Sequence, residues 1–182
     1  WIGAFMGDAY KTRFQGSANI EGELNLAAGL PEPGTDISIT SHELAVDFLD
    51  YTTQGDGNIR LQVSEGGDNP DWKMNLDLAD AAMRRLGETE DSIEDVTMHL
   101  EALVKDVTFK KEKPDFALSF RMPTAHVTDM QTFNSHLPPD SPVRFKGGEA
   151  DLSADILLQS NDADGFVKLD SEALISLDGD QD

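Results

Sequence analysis

The stretch Gly148-Glu-Ala-Asp-Leu-Ser-Ala-Asp-Ile-Leu-Leu158 sets apolar side chains at Ala150, Leu152, Ala154, Ile156 and Leu158 against polar ones at Asp151, Ser153 and Asp155. A period of two is what a strand with one buried face requires, because successive side chains leave a strand on opposite sides. The same rule reads outward along the chain. Ala18, Ile20, Gly22, Leu24 and Leu26 alternate with Asn19, Glu21, Glu23 and Asn25. Ile37 and Ile39 open a run that Leu44, Val46 and Phe48 continue on shifted parity, which predicts a bulge near His42-Glu43. Ile59, Leu61 and Val63 follow, then Trp72, Met74, Leu76 and Leu78, then Phe116, Leu118, Phe120 and Met122, and finally Val167, Leu169, Ile175 and Leu177. Turn signals separate them at Pro31–Gly34, Gln54–Gly57, Gly66–Pro70, Lys113–Asp115 and Asn161–Gly165. The expected class is mainly β: an antiparallel curved or folded-over sheet, solenoid-like, with one or two short helices.

Three segments depart from simple alternation. Asp80–Gly87 has the marks of a helical turn capped by Asp80 and ended by Gly87. Residues 92–107 fit a helix through Ile93, Val96, Leu100, Leu103 and Val107, and a strand through Val96, Met98, Leu100, Ala102 and Val104. Flanking strands and frequent Val and Thr favour the strand. Asp129 can cap a turn with Met130, Phe133 and Leu137 on one face, and Pro138-Pro139 must stop it.

The opening stretch has an internal counterpart. Gly16–Leu26 aligns with Gly148–Leu158 at an offset of 132, and Ile37–Leu44 with Val167–Leu174 at an offset of 130. The two-residue difference falls in a turn, where insertions are tolerated. Residues 16–48 and 148–177 read either as two copies of one hairpin, as in a segment of a stacked array, or as two hairpins that share a generic pattern. The whole of 1–182 reads as a single β-rich domain, a fragment of a longer repeat protein that holds one unit and the start of the next. Its start at Trp1-Ile2-Gly3-Ala4, with no basic region or apolar run, predicts no signal peptide, and no run approaches a membrane span.

Charge narrows the classes. Thirty-five Asp and Glu against 14 Lys and Arg give a net charge of −21, which excludes a phosphate-binding surface as the main function and predicts no nucleic-acid partner. No cysteine is present, so disulfide scaffolds and thiolate catalysis are excluded. His42, His99, His126 and His136 never fall at metal-ligand spacing, and no nucleophile elbow, Walker loop or dinucleotide fingerprint occurs. Asn161-Asp-Ala-Asp-Gly165 holds the core of a calcium loop, but Ser160 and Ser171 stand where the first and twelfth ligands belong, so a polar turn is expected. Glu88, Glu90, Asp91, Glu94 and Asp95 read as solvated loop charge. No enzyme activity, cofactor or metal is expected.

What remains is the apolar face. Its expected members are Ile20, Leu24, Leu26, Ile37, Ile39, Leu61, Val63, Met74, Leu76, Leu118, Phe120, Leu152, Ile156, Leu158, Val167 and Leu169. Either it closes into core, or it stays open as a groove for apolar ligands. A closed sandwich would leave function to loops such as 54–58 and 64–71, as in a structural or adhesive module binding protein or glycan.

Phe120-Arg-Met-Pro-Thr-Ala-His-Val-Thr-Asp-Met130, followed by Phe133-Asn-Ser-His-Leu-Pro-Pro139 and Phe145–Ile156, resembles the repeating segments of AsmA-like bacterial envelope proteins, the TamB group among them. The resemblance is clearest over 116–177. It implies a taco-like folded sheet, a long periplasmic protein anchored in the inner membrane by a region outside this sequence, and phospholipid carried toward the outer membrane in an apolar groove. No catalytic residues accompany it. Exposed end strands would pair with neighbouring repeats or with another copy.

Overall fold

A computed structural model describes residues 14–15, 17–48, 51–107, 115–159 and 162–177. Eleven strands run in chain order: β1 Phe14–Gln15, β2 Asn19–Glu23, β3 Leu26–Ala27, β4 Leu30–Pro31, β5 Asp36–Phe48, β6 Tyr51–Ser64, β7 Asp71–Arg85, β8 Ile93–Lys105, β9 Asp115–Val127, β10 Val143–Gln159 and β11 Asp162–Leu177. Nine of them form one antiparallel sheet in the order β1-β5-β6-β7-β8-β9-β10-β11, with β2 also on β5, and β3 pairs with β4 separately. The sheet is curved and does not close on itself.

The ladder is interrupted along one line. Register shifts occur in every successive strand pair from β5/β6 to β9/β10: between Ser41 and Leu44, between Gln54 and Asp56, on both sides of Ala81, on both sides of Thr97, and between Leu152 and Ala154. Each extra residue bends its strand and increases its twist. Lined up at the same level, the bulges crease the sheet transversely. The residues suit the geometry: Asp80 and Asp95 adopt positive φ of 47° and 53°, which Asp tolerates better than most, and Pro123 occupies the β9 bulge, where no ladder donor is missed. The shift predicted near His42-Glu43 is therefore one member of a row.

The crease explains two sequence expectations that fail. Asp80–Gly87 is not a helical turn. β7 continues to Arg85, and the alternation merely changes parity at the bulge, where Ala81 pairs with Val96. Gln54–Gly57 is not a turn either, but the middle of β6. Its glycines answer to close approach, since a Cβ on Gly55 would lie 2.6 Å from the Ala81 Cα and one on Gly57 would lie 2.7 Å from the Leu44 Cβ. Gly57→Val is expected to lower the unfolding free energy by about 1–3 kcal/mol through overpacking, read from the urea midpoint. An unchanged midpoint would mean that Leu44 and Leu78 are not packed as described.

A third correction concerns Leu24 and Leu26. β2 ends at Glu23, Leu24 lies outside any strand, and Leu26 belongs to the β3–β4 hairpin, where it pairs with Pro31. Ala28 and Gly29 turn that hairpin with φ of 50° and 81°, the conformation of a tight two-residue connection. The buried Thr35 fixes its base, its hydroxyl accepting from the Asn25 N–H at 3.1 Å and donating to the Asn25 carbonyl at 3.0 Å. The chain is thereby drawn off the main sheet. Residues 92–107 take the strand alternative, as β8. Asp162–Gly165 lie in β11, so the calcium-loop pattern is extended backbone. The predicted turn residues Lys113, Pro114 and Asn161, and Gly16 at the head of the repeat, lie outside the described residues.

The expected short helix forms as a 3₁₀ helix over Met130–His136, with the Asp129 carboxylate accepting from the Gln131 N–H at 2.9 Å. Asn134 clamps it to β10, its amide donating to the Phe145 carbonyl and accepting from the Phe145 N–H, both at 2.8 Å. His136 meets the Tyr51 hydroxyl of β6 at 2.8 Å. Met130 is fully buried and Phe133 packs on the core of Leu44, Val46, Leu78, Ala81, Ile93, Val96, Met122, Ala125, Val127, Ala150 and Ala154. That core fills the sheet on the helix side of the crease and extends across it through Leu78, Met122 and Ala154 to Leu76.

Candidate functional site

Beyond the crease the register assembles apolar residues into transverse rows. Ile20, Ile39, Ile59, Leu76, Leu100, Phe120 and Ile156 stand opposite one another from β2 to β10. Two positions along, Ile37, Leu61, Met74, Ala102, Leu118 and Leu158 form a second row from β5 to β10. The first row crosses seven strands, so six spacings of about 4.8 Å make it about 29 Å long. Leu76 is buried, whereas Ile37, Ile39, Ile59, Leu61, Met74, Leu100, Ala102, Leu118, Phe120, Ile156 and Leu158 are half-buried. Among the described residues, the substantial contacts between elements are those of sheet neighbours and of the 3₁₀ helix on β10.

The sequence-predicted face thus divides. Ile37, Ile39, Leu61, Met74, Leu118, Phe120, Ile156 and Leu158 share the two rows, Phe120 and Leu152 also pack as half-buried neighbours against the main core, as do the row residues Ile59 and Leu100, and Leu61 packs against the smaller one. Leu76 and Val63 are closed core, Val63 in a small cluster with Trp72 and Val107. Ile20, Val167 and Leu169 sit at the sheet's margins and are exposed. Leu24 and Leu26 are off the face. Ile59, Leu100 and Ala102 are row members absent from the sequence-based set. The alternation of β6 already carried Ile59, while Leu100 and Ala102 lay in the stretch that also fitted a helix.

The opposite face is polar and internally paired. Asn58, Asp77, His99, Arg121 and Asp155 form one outward row. The His99 ring lies 2.7 Å from Asp77, Arg121 3.4 Å from Asp155, and Lys73 2.7 Å from Glu101. A cleft of about 450 Å³ lies between Arg60, Asp77, His99, Glu101 and Arg121. His126 stands 3.2 Å from Asp151, and His42 3.5 Å from Asp56. No group of three or more metal-ligating side chains converges among the described residues. Loop 64–71 is held by Asp106, whose carboxylate accepts from the Asn69 N–H at 2.8 Å, while 54–58 is strand and presents no loop.

Arg60 binds Asp36 through Nε at 2.8 Å and Nη2 at 2.6 Å, and those charge-assisted bonds hold the Asp36 carboxyl below the ordinary carboxylate range, with Gln62 adding a third donor. A carboxyl depressed in the folded state contributes stability that is complete above its unfolded value and is lost as pH falls through its folded one. An NMR titration should place the Asp36 midpoint below those of unpaired exposed carboxyls, and Arg60→Gln should move it up. An Asp36 midpoint unmoved by that substitution would break the assignment.

No family model, curated protein or solved structure matches this chain. No helix among the described residues is long and apolar enough to cross a membrane.

Proposed function

We propose that this chain carries acyl chains on its apolar face, as a periplasmic segment of an AsmA-like protein that conducts phospholipid between inner and outer membranes. The observation that carries the reading is the pair of transverse rows, Ile39 to Ile156 and Ile37 to Leu158, continuous across the sheet and half-buried except at Leu76, which is core. A hydrocarbon chain laid along them leaves water at about 0.8 kcal/mol per buried CH₂. Contacts of this kind are non-directional and nearly alike from strand to strand, which suits movement along the rows more than capture at one point. The net charge of −21 keeps such a face in solution and pushes anionic head groups away from the protein surface. No catalytic group, cofactor or metal enters the reading.

The test is native mass spectrometry with lipid extraction on protein purified from bacterial membranes or periplasm. Bound species with phospholipid mass are expected. A clean protein mass, together with failure to take up a fluorescent fatty acid, would sink the proposal.

A further inference from the structure

The sheet has two hairpins in one register. In the first, Ile20 pairs with Ile39, Gly22 with Ile37 and Asn19 with Thr40. In the second, Leu152 pairs with Leu169, Ala154 with Val167 and Asp151 with Asp170. Offsets of 132 and 130 carry every pair of the first set onto the second, so β10–β11 repeats β2–β5 in pairing as well as in pattern. The surroundings of the two then differ. The far edge of β5 is occupied by β6 from Asp36↔Gln62 to Phe48↔Tyr51, whereas β11 ends the sheet among the described residues.

Side chains of β11 register the difference. Val167 and Leu169 are 64% and 41% exposed, while their counterparts Ile37 and Ile39 are half-buried beside β6. The sharpest contrast is Leu174, 70% exposed, against Leu44, 4% exposed. Leu44 reaches the core because the bulge at His42-Glu43 shifts β5 against β6, and Gly57 of β6 leaves room for it. β11 carries the corresponding Leu but has no bulge at the corresponding Glu172-Ala173.

We infer that the free edge of β11 accepts an antiparallel strand of the β6 type, in the register β6 holds on β5. Among the described residues β11 has no strand on its outer side, so its 16-residue edge offers backbone N–H and C=O groups as a template, with the N–H groups of Ala163 and Gly165 engaged by the Asp162 and Asp164 carboxylates. The incoming strand sets an Ile59-like residue opposite Leu169, a Leu61-like residue opposite Val167 and a Gly55-like residue opposite Leu174, and Leu174 turns inward as the bulge forms. Net charge favours this occupant over a second copy of the chain, although the register sets an Arg60-like residue opposite Lys168. On β11, Asp162, Asp164, Asp170 and Glu172 against Lys168 give 1 − 4 = −3, so self-pairing would oppose like charges on molecules of −21 each. On β6, Asp56 and Arg60 cancel.

The probe is a synthetic peptide of residues 51–64, offered to the whole chain and followed by hydrogen–deuterium exchange. Protection confined to 162–177 is expected, at least tenfold above a scrambled peptide. A peptide with Val at both glycine positions should bind at least tenfold more weakly, because Leu174 then has nowhere to enter. Leu174→Asp, exposed in the free protein and so compatible with its fold, should weaken binding to a similar degree with an unchanged circular dichroism spectrum. Absence of protection on β11, equal binding of the Val peptide, or a peptide-free dimer protected over 162–177 would each overturn the inference, the last by making a second copy the occupant.

Discussion

Leu78→Ala is expected to lower the unfolding free energy by about 2–5 kcal/mol, the range for truncating a fully buried Leu. Leu78 is 1% exposed, pairs with Gly57 on one side and Met98 on the other, and lies at the crease, where β7 shifts register to Ala81. The gap left behind has little means of filling. Gly57 has no side chain to extend, and its backbone is fixed in the ladder between β5 and β7. A cavity that cannot collapse puts the cost toward the upper part of that range. Leu86, 48% exposed beyond the end of β7, provides the contrast, and its truncation should stay within about 0.5 kcal/mol. Urea denaturation at constant m-value separates the two. Equal effects at Leu78 and Leu86 would mean that the crease does not anchor the core.

Met74→Asp and Leu118→Asp should abolish acyl-chain binding while the protein remains folded. Both lie on the row from Ile37 to Leu158, on β7 and β9 with β8 between them. Both are half-buried, so a carboxylate at either position can still reach water in the free protein. With an acyl chain laid over it, the same carboxylate would be desolvated without a partner, at several kcal/mol. Each 1.4 kcal/mol is tenfold in affinity, so the expected loss exceeds a hundredfold. Leu24→Asp is the matched control. Leu24 is exposed and lies off the sheet, and this substitution should leave binding intact. Native mass spectra of the three variants, read beside their circular dichroism, decide the matter. Retention of lipid by the Met74 and Leu118 variants would remove the rows from the path, and unfolding of both would make the face closed core.

Much of this was legible locally. Strands β7, β9 and β10 follow from alternation, because the sheet sorts side chains by parity and a half-buried face imprints that parity on the sequence. The Asp129 cap and the Pro138-Pro139 stop bracket the helix for equally local reasons. Gln54-Gly-Asp-Gly57 misleads because a glycine that makes room for Leu44 and Ala81 looks the same in sequence as one that makes a turn. Asp80–Gly87 misleads because a bulge breaks the alternation by one residue, which resembles the onset of helical spacing.

The sequence by itself determined that this chain is an acidic, mainly β protein with one apolar face, a bulge in its second long run and a repeated hairpin. Those features depend on the order of neighbouring residues and on nothing else. Only the tertiary structure decided that bulges in successive strands line up into a crease, that Leu76 and Val63 belong to closed core while Met74 and Leu118 lie in half-buried rows, and that β11 borders the sheet among the described residues. Each of these is a matter of which residues stand opposite one another across strands distant in sequence. Register sets those partners, and alternation of period two leaves register free to slide by any even number of residues.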